Sequence, residues 1–250
     1  MKTIYNIFEE LIHEQKEESS IYNRKLNKVV KELKKKKKVL LLTTSNRWEG
    51  DKEIPKSSQL ANHIKEKVGK DIITILDIPK LNIYSCEGNI STARGNTCGL
   101  KESILKNKEK NPSGYHRCWA SINNKDDELW KISKELFESD VVIFFGSVRW
   151  GQMNAYYQKL IERLSWIENR YTTLKETNIV KDIEAGIIIT GQNWRGEEVL
   201  NTQKDVLKFY GFKVPEYLCF NWQYTEDFKD ESNKSYKNTL TKFLNVFKLK

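Results

Sequence analysis

The sequence predicts an α/β protein built around a doubly wound, parallel sheet of five strands. Three features predict it: apolar runs of strand length, amphipathic helical segments between them, and a regular alternation of the two. The apolar runs are nearly continuous, which is typical of parallel strands that are buried on both faces. Right-handed crossovers and a count of five strands favour the strand order 2-1-3-4-5.

The individual elements follow from these patterns. Strands are predicted at residues 39–43, 72–76, 141–145, 186–190 and 214–220. Helices are predicted after the first strand at residues 57–68, 126–137, 154–166, 197–210 and 234–247. Gly211 follows the fourth of these helices, where glycine commonly provides a left-handed C-terminal cap.

The N-terminal region precedes the first strand. Apolar residues at helical spacing from Ile4 to Ile12, and again from Tyr22 to Leu33, predict two amphipathic helices. The basic run 34–38 ends the second, and we interpret it as a solvated helix end because cations favour that end of the helix dipole. We therefore divide the chain into a helical extension, residues 1–37, and a domain of residues 38–250.

Composition indicates a globular protein, with 38% hydrophobic and 31% charged residues. The longest apolar runs, such as 39–42 and 141–145, are far shorter than the roughly 20 residues of a membrane span. Four scattered cysteines and an N-terminus unlike a secretory signal favour the cytoplasm. We expect a protein without a membrane association.

The net charge is +9, from 43 Lys and Arg against 34 Asp and Glu. The two signs are interleaved, which is typical of solvated helix faces. The remaining excess permits phosphorylated nucleotides and nucleic acids alike as partners.

A long connection, residues 79–125, separates the second strand from its helix. Such a stretch in a compact domain is usually a lid or an oligomer contact, or else disordered; its aromatic and cysteine content favours an ordered loop. Cys86, Cys98, Cys118 and His116 fit no zinc or iron-sulfur spacing, so we predict no metal site.

The loop after the first strand has the residues of a phosphate site. Thr44-Ser45-Asn46-Arg47 follows the strand, and Lys56-Ser57-Ser58-Gln59 opens the next helix. Amides and hydroxyls at a helix N-terminus bind phosphate, although a serine there is also an ordinary cap. The P-loop pattern and the glycine-rich dinucleotide pattern do not occur in the sequence.

Two further loops carry glycine beside an aromatic residue. The third strand ends in the segment 146–154, Gly-Ser-Val-Arg-Trp-Gly-Gln-Met-Asn, and the fourth in 190–196, Thr-Gly-Gln-Asn-Trp-Arg-Gly. Turns of this kind bring the backbone close to a flat ring. A buried structural Trp150 is the alternative interpretation.

These motifs resemble the NAD(P)H-dependent FMN reductases of the flavodoxin-like superfamily, whose third-strand turn commonly reads Ser-Pro-Val-Tyr-Trp-Gly. Val148, Trp150 and Gly151 match it, whereas Ser147 replaces the proline and Arg149 the aromatic residue. The first loop is also longer than usual, by residues 48–55. The location of Cys86 is similar to the related iron-sulfur flavoproteins, but their compact cysteine cluster does not occur here.

The resemblance implies that residues 38–250 bind FMN and pass electrons from NAD(P)H to a small acceptor: a quinone, free flavin, nitroaromatic compound or metal chelate. It implies a homodimer or homotetramer, and it leaves the choice of NADH or NADPH open. No side chain is singled out as a general acid or base. The expected cofactor-binding residues are Ser45, Arg47, Ser57, Ser58, Gln59, Val148, Arg149, Trp150, Gly151, Gln152, Met153, Gly191, Gln192, Asn193 and Trp194.

Three other functions fit parts of the pattern. A flavodoxin-type electron carrier would share the fold, although such carriers are typically acidic. A receiver-like domain needs a carboxylate where Gly146 and Ser147 stand. A nucleic-acid-binding module would use the 7 tryptophans, but Trp130 and Trp166 fall at core-like helix positions, so we expect no nucleic-acid partner.

Overall fold

The computed structural model describes residues 4–47, 53–90, 95–191, 195–224 and 233–249. Its sheet contains β1 (Val39–Thr43), β2 (Ile73–Asp77), β3 (Val141–Arg149), β4 (Gln152–Met153), β5 (Glu184–Gly191) and β6 (Cys219–Gln223). The parallel strands follow the order β2-β1-β3-β5-β6, and β4 pairs antiparallel with the end of β3. The predicted order of the five parallel strands is confirmed, with one short extra strand.

In the described residues, seven α-helices connect and flank the strands. They are α1 (Ile4–Leu33), α2 (Lys56–Val68), α3 (Trp119–Asn123), α4 (Leu129–Phe137), α5 (Ala155–Thr172), α6 (Gly196–Phe209) and α7 (Asn233–Phe247). Short 3-10 helices occupy residues 78–80, 101–103 and 216–218. No helix in the described part of the chain is long and apolar enough to cross a membrane.

The burial of the central strands explains why the sequence predicts them. All five residues of β1 are buried, and in β3 only Arg149 is exposed. Val39 lies opposite Ile73 on one side and Val141 on the other, so apolar side chains meet across three neighbouring strands. Burial on both faces requires the continuous apolar runs seen in the sequence.

The prediction of two N-terminal helices is wrong, because α1 is a single helix of 30 residues. The polar stretch between the two apolar segments contains no proline or glycine, so the loss of apolar periodicity does not interrupt the backbone. The second half of α1 packs on the rest of the fold. The Tyr22 ring lies 5.9 Å from that of Phe247 and 6.3 Å from that of Phe220, between centroids.

Several predicted boundaries also differ from the structure. The fifth parallel strand begins at Cys219 rather than at residue 214, because Pro215 precedes the 3-10 turn 216–218. Strand β3 continues four residues beyond its predicted end at residue 145, and α5 continues to Thr172. Helix α4 begins at Leu129, after the separate short helix α3.

The long connection has a defined structure over its described part, residues 79–90 and 95–125. Its end is held by a fully buried ion pair, in which Arg163 Nη1 of α5 lies 2.7 Å from Asp127 Oδ1. The same guanidinium donates to the Tyr84 carbonyl at 2.7 Å and to Ser121 Oγ at 2.9 Å. One side chain of α5 therefore anchors two points of the connection, Tyr84 and Ser121, and also holds Asp127 just beyond its end.

His116 belongs to this connection, and its side chain is buried in the interior. Its Nδ1 is 2.7 Å from Ser133 Oγ, its ring packs against Trp166, and Nε2 has no hydrogen-bond partner in the described structure. Burial, with a further contribution from nearby Arg163, lowers the pKa of His116 from 6.5 to about 3. The folded protein therefore holds this imidazole neutral.

Stability should fall in acid because of His116. Between pH 6.5 and about 3 the unfolded chain binds a proton that the folded chain does not, so stability is complete above this window and declines as the pH falls through it. From pH 7.5 to pH 5 the loss from this residue is about 2 kcal/mol. The measurement is urea unfolding of the wild type and of His116→Gln at both pH values.

Comparison with His116→Gln also removes the contributions of His63 and of the carboxylates to the pH dependence, because these groups titrate in both proteins. We expect the stability difference between wild type and His116→Gln to shrink by the same amount at the lower pH. A difference that does not change with pH would show that His116 is not held neutral.

Candidate functional site

The carboxyl ends of β1, β3 and β5 open into a cleft of about 650 Å³, which we call the carboxyl-edge cleft. This is the edge at which doubly wound sheets bind their ligands. Its lining residues come from the first loop, from the ends of β3 and β5, and from the region after β6: Ser45, Asn46, Arg47, Glu53, Pro55, Lys56, Ser57, Ser147, Arg149, Thr190, Gly191, Tyr224, Thr239 and Leu240.

One end of the cleft is built for an anion. Helix α2 begins there, and Pro55 at its N-cap position supplies no side-chain acceptor for the first-turn amides. The buried hydroxyl of Ser57 donates to that of Ser45 at 2.9 Å. First-turn amides without a side-chain cap among the described residues, two hydroxyls and the Lys56 ammonium group together form a site suited to a phosphate group.

Glu53 places a carboxylate at the same end. Its Oε1 lies 2.9 Å from Lys56 Nζ and 3.3 Å from Arg47 Nη2. Lys56 and Arg47, the two cations of the anion site, are therefore both paired with the Glu53 carboxylate. An anion that enters the site would have to share these cations with Glu53 or displace its carboxylate. Glu53 is not among the expected site residues, because it lies within the lengthened first loop.

Asn154 fixes the floor of the cleft by joining β1 to β3. Its side-chain amide donates to the Thr44 carbonyl at 2.7 Å, and its Oδ1 accepts from the Ser147 amide at 3.1 Å and lies 3.0 Å from Thr44 Oγ1. Gly146 makes room for this arrangement, since a Cβ there would lie 3.0 Å from both Asn154 Oδ1 and Thr44 Oγ1. The ends of the two strands are thus held at a fixed separation.

The Ser147 hydroxyl lies at the centre of the cleft wall. It is buried, and it has no hydrogen-bond partner among the described residues. Buried polar groups in native proteins are normally paired with protein, water or ligand. Ser147 stands where the FMN-reductase turn that this segment resembles has proline, so this position offers a hydroxyl that the common motif does not have.

A tight hairpin forms the outer lip of the cleft. Arg149 pairs with Gln152, and the two residues between them, Trp150 and Gly151, have φ values of 51° and 68°. The Trp150 side chain is 85% exposed. The alternative of a buried structural tryptophan is therefore wrong, and this indole lies at the protein surface.

The structure brings only part of the expected cofactor site together. The expected residues that line the cleft are Ser45, Arg47, Ser57, Arg149 and Gly191. Those that do not line it are Ser58, Gln59, Val148, Trp150, Gly151, Gln152 and Met153. Val148 and Met153 are buried in the core, and Gln59 donates to the Ile54 carbonyl at 2.9 Å. Gln192, Asn193 and Trp194 lie outside the described residues.

Replacing Asn154 by Ala should destabilise the fold by about 3 kcal/mol, since it leaves the buried Ser147 amide and Thr44 carbonyl unpaired. The matched control is Asn201→Ala on the exposed surface of α6, which should change stability by less than about 0.5 kcal/mol. Urea unfolding measures both. Equal effects of the two substitutions would contradict the proposed role of Asn154 in joining the strands.

Comparison with solved structures shows what the fold is similar to. RosB with bound 8-demethyl-8-formylriboflavin-5'-phosphate is 14% identical, with a TM-score of 0.50 over 85% of this chain and 78% of RosB. An azoreductase from Bacillus anthracis str. Sterne is 12% identical, with a TM-score of 0.49 over 85% of this chain and 98% of its own.

An NAD(P)H:quinone oxidoreductase from Methanothermobacter marburgensis is 11% identical, with a TM-score of 0.48 over 85% of this chain and 99% of its own. No family model matches the sequence, and no curated protein matches it. At these identities the similarity concerns the fold alone. The strand order and the similarity to RosB together identify a flavodoxin-like fold.

Proposed function

We propose that this protein is an FMN-dependent NAD(P)H oxidoreductase. The observation that carries the proposal is the anion site at the start of α2, in a cleft that is also lined by Ser147 and Arg149 at the end of β3. A cofactor with a phosphate at one end and a flat ring at the other matches this order of groups. The volume, about 650 Å³, falls within the range of small-molecule sites.

The phosphate would lie against Ser45, Ser57 and the first-turn amides of α2. Lys56 and Arg47 would balance its charge, and Glu53 would turn away from them as the phosphate enters. Ser58, which follows on α2 but does not line the cleft, would contribute through its backbone amide rather than through its side chain. The Gln59 amide already donates to the Pro55 carbonyl at 2.9 Å, so Gln59 would support the start of α2 rather than contact the phosphate.

The ring would lie between the loop after β3 and the loop after β5. In this arrangement the Ser147 hydroxyl gains a hydrogen-bond partner, and Arg149 provides positive charge beside the ring. The residues 148–153 and 191–194 remain our expectation for the surroundings of the ring. The exposed Trp150 would cover its outer edge.

When bound, FMN supplies the transfer of a hydride from the nicotinamide and of electrons to the acceptor. The chain's contribution is to orient the ring, to stabilise negative charge on it through Arg149, and to leave one face open. Among the described residues of the cleft, Glu53 is the one carboxylate, and it is paired at the phosphate end. The proposed reaction needs no general acid or base from the protein.

RosB supports the proposal to the extent that a protein of similar fold holds a riboflavin phosphate derivative. For this chain the acceptor would be a quinone, free flavin, nitroaromatic compound or metal chelate. A cytoplasmic homodimer or homotetramer, and the FMN-binding domain of residues 38–250, are part of the same proposal.

The visible spectrum tests the proposal directly. Purified protein, or protein reconstituted with FMN, should show an absorbance band near ~450 nm that bleaches when NADH or NADPH is added without oxygen. Steady oxidation of the nicotinamide with a quinone should follow. Bound flavin that no nicotinamide reduces would favour the electron-carrier alternative, and a protein that takes up no flavin would exclude both.

Substitution of Ser57 by Asp should separate phosphate binding from ring binding. A carboxylate beside Ser45 repels the phosphate, so FMN affinity should fall by about 100-fold or more. Affinity for riboflavin, which has no phosphate, should change by less than about threefold. Fluorescence titration measures both, and the isosteric, neutral Ser57→Asn is the matched control. Equal losses for the two ligands would place the phosphate elsewhere.

A further inference from the structure

A second cavity, of about 760 Å³, lies at the opposite edge of the sheet. The segment 175–182, just before β5, forms one side of it, and the end of α5 and residues of the long connection form the other. Strand β5 runs from this edge to Gly191 in the carboxyl-edge cleft, a distance of about 25 Å for eight residues. We call this the amino-edge cavity, and it is separate from the proposed flavin site.

Positive charge dominates the amino-edge cavity. Two carboxylates line it, but Asp182 is paired outside the cavity, with Lys213 at 3.3 Å. Glu176 is therefore the carboxylate that faces the cations. The cations that line the cavity are Lys101, Arg117, Arg170, Lys175 and Lys181.

Two guanidinium groups share Glu176. Arg117 Nη1 lies 2.7 Å from Oε1 and Arg170 Nη2 2.8 Å from Oε2, with the side chains 10% and 7% exposed. One carboxylate cannot neutralise two cations, so the pair retains an excess positive charge. Water screens it weakly because both groups are largely buried.

Arg117 is also incompletely hydrogen bonded. It donates through Nη1 alone, to Glu176 and to the Gly99 carbonyl at 3.3 Å, and its Nε has no partner among the described residues. Arg170, by contrast, uses all three of its nitrogens. Nη2 makes no hydrogen bond to the described residues and, unlike Nε, is not one of their buried unpaired atoms, so it can donate to a ligand in the cavity.

We infer that the amino-edge cavity is a second ligand site, which binds a small molecule bearing a phosphoryl or pyrophosphoryl group. Such a group supplies several acceptor oxygens and the negative charge that Arg117 and Arg170 lack. The volume is that of a small-molecule pocket. Tyr115, 40% exposed and packed on the Arg170 guanidinium, adds an aromatic surface for the rest of the molecule.

Inorganic pyrophosphate is the probe for this site. We titrate it calorimetrically into the Ser57→Asp variant, in which the anion site of the carboxyl-edge cleft is blocked, so that a signal there belongs to another site. In that background, Lys101→Gln with Lys181→Gln should weaken binding by about tenfold, because two partly exposed charges are lost. The matched control, Lys67→Gln with Lys70→Gln, removes two charges near the end of α2 and should leave binding unchanged.

A second readout is the ¹H–¹⁵N signal of Arg117 Nε, assigned by its loss in Arg117→Lys. Pyrophosphate should shift it, because the guanidinium group that contains Nε gains hydrogen bonds to the anion. Absence of binding in the Ser57→Asp background, equal weakening by the two lysine pairs, or an unmoved Nε signal would each overturn the inference. None of these outcomes depends on whether the protein binds FMN.

Discussion

The buried guanidinium of Arg163 is the group on which the arrangement of the long connection depends. It reaches Asp127, Ser121 and the Tyr84 carbonyl from one position on α5. Burial disfavours its charge, but the hydrogen bond that it donates to Asp127 and the negative charge of that carboxylate act with its other contacts to raise the pKa of Arg163. Asp127 in turn accepts from the Leu129 amide at 3.1 Å, so the same carboxylate fixes the start of α4. A charge at this depth is tolerated because Nη1 and Nη2 of Arg163 are both hydrogen bonded, although Nε has no partner among the described residues.

The parallel sheet could be predicted because each central strand carries its own evidence. Val141 to Phe145 is apolar at every position, and a strand buried on both faces needs nothing else. The ends of the helices and strands were harder to predict from the sequence. The single helix α1 crosses a polar interval that looks like a linker, and Pro215 starts a turn inside an apolar run. The anchoring of the long connection rests on contacts between residues far apart in sequence, which periodicity does not report.

The location of the candidate site was predictable in the same way, and its chemistry less so. The carboxyl-edge rule and the residues Ser45 and Ser57 indicate an anion site before any coordinates are known. The pairing of Lys56 with Glu53 depends on how the lengthened first loop folds back. Tyr224 and Thr239 line the cleft from beyond the last strand, where the sequence shows no motif. The amino-edge cavity likewise joins residues from three separate parts of the chain.

The hairpin that ends β3 has a consequence for the thermodynamics of the cleft. Tryptophan at positive φ is unfavourable by about 1 kcal/mol or more, and the strand pairing on either side of the turn holds it there. This wall is therefore preorganised, and a ligand meets it without having to order it. The conformational entropy lost when a ligand binds would then come from ordering the other walls of the cleft. Substitutions in the first loop should therefore change the affinity and the residence time of the ligand more than substitutions in the hairpin.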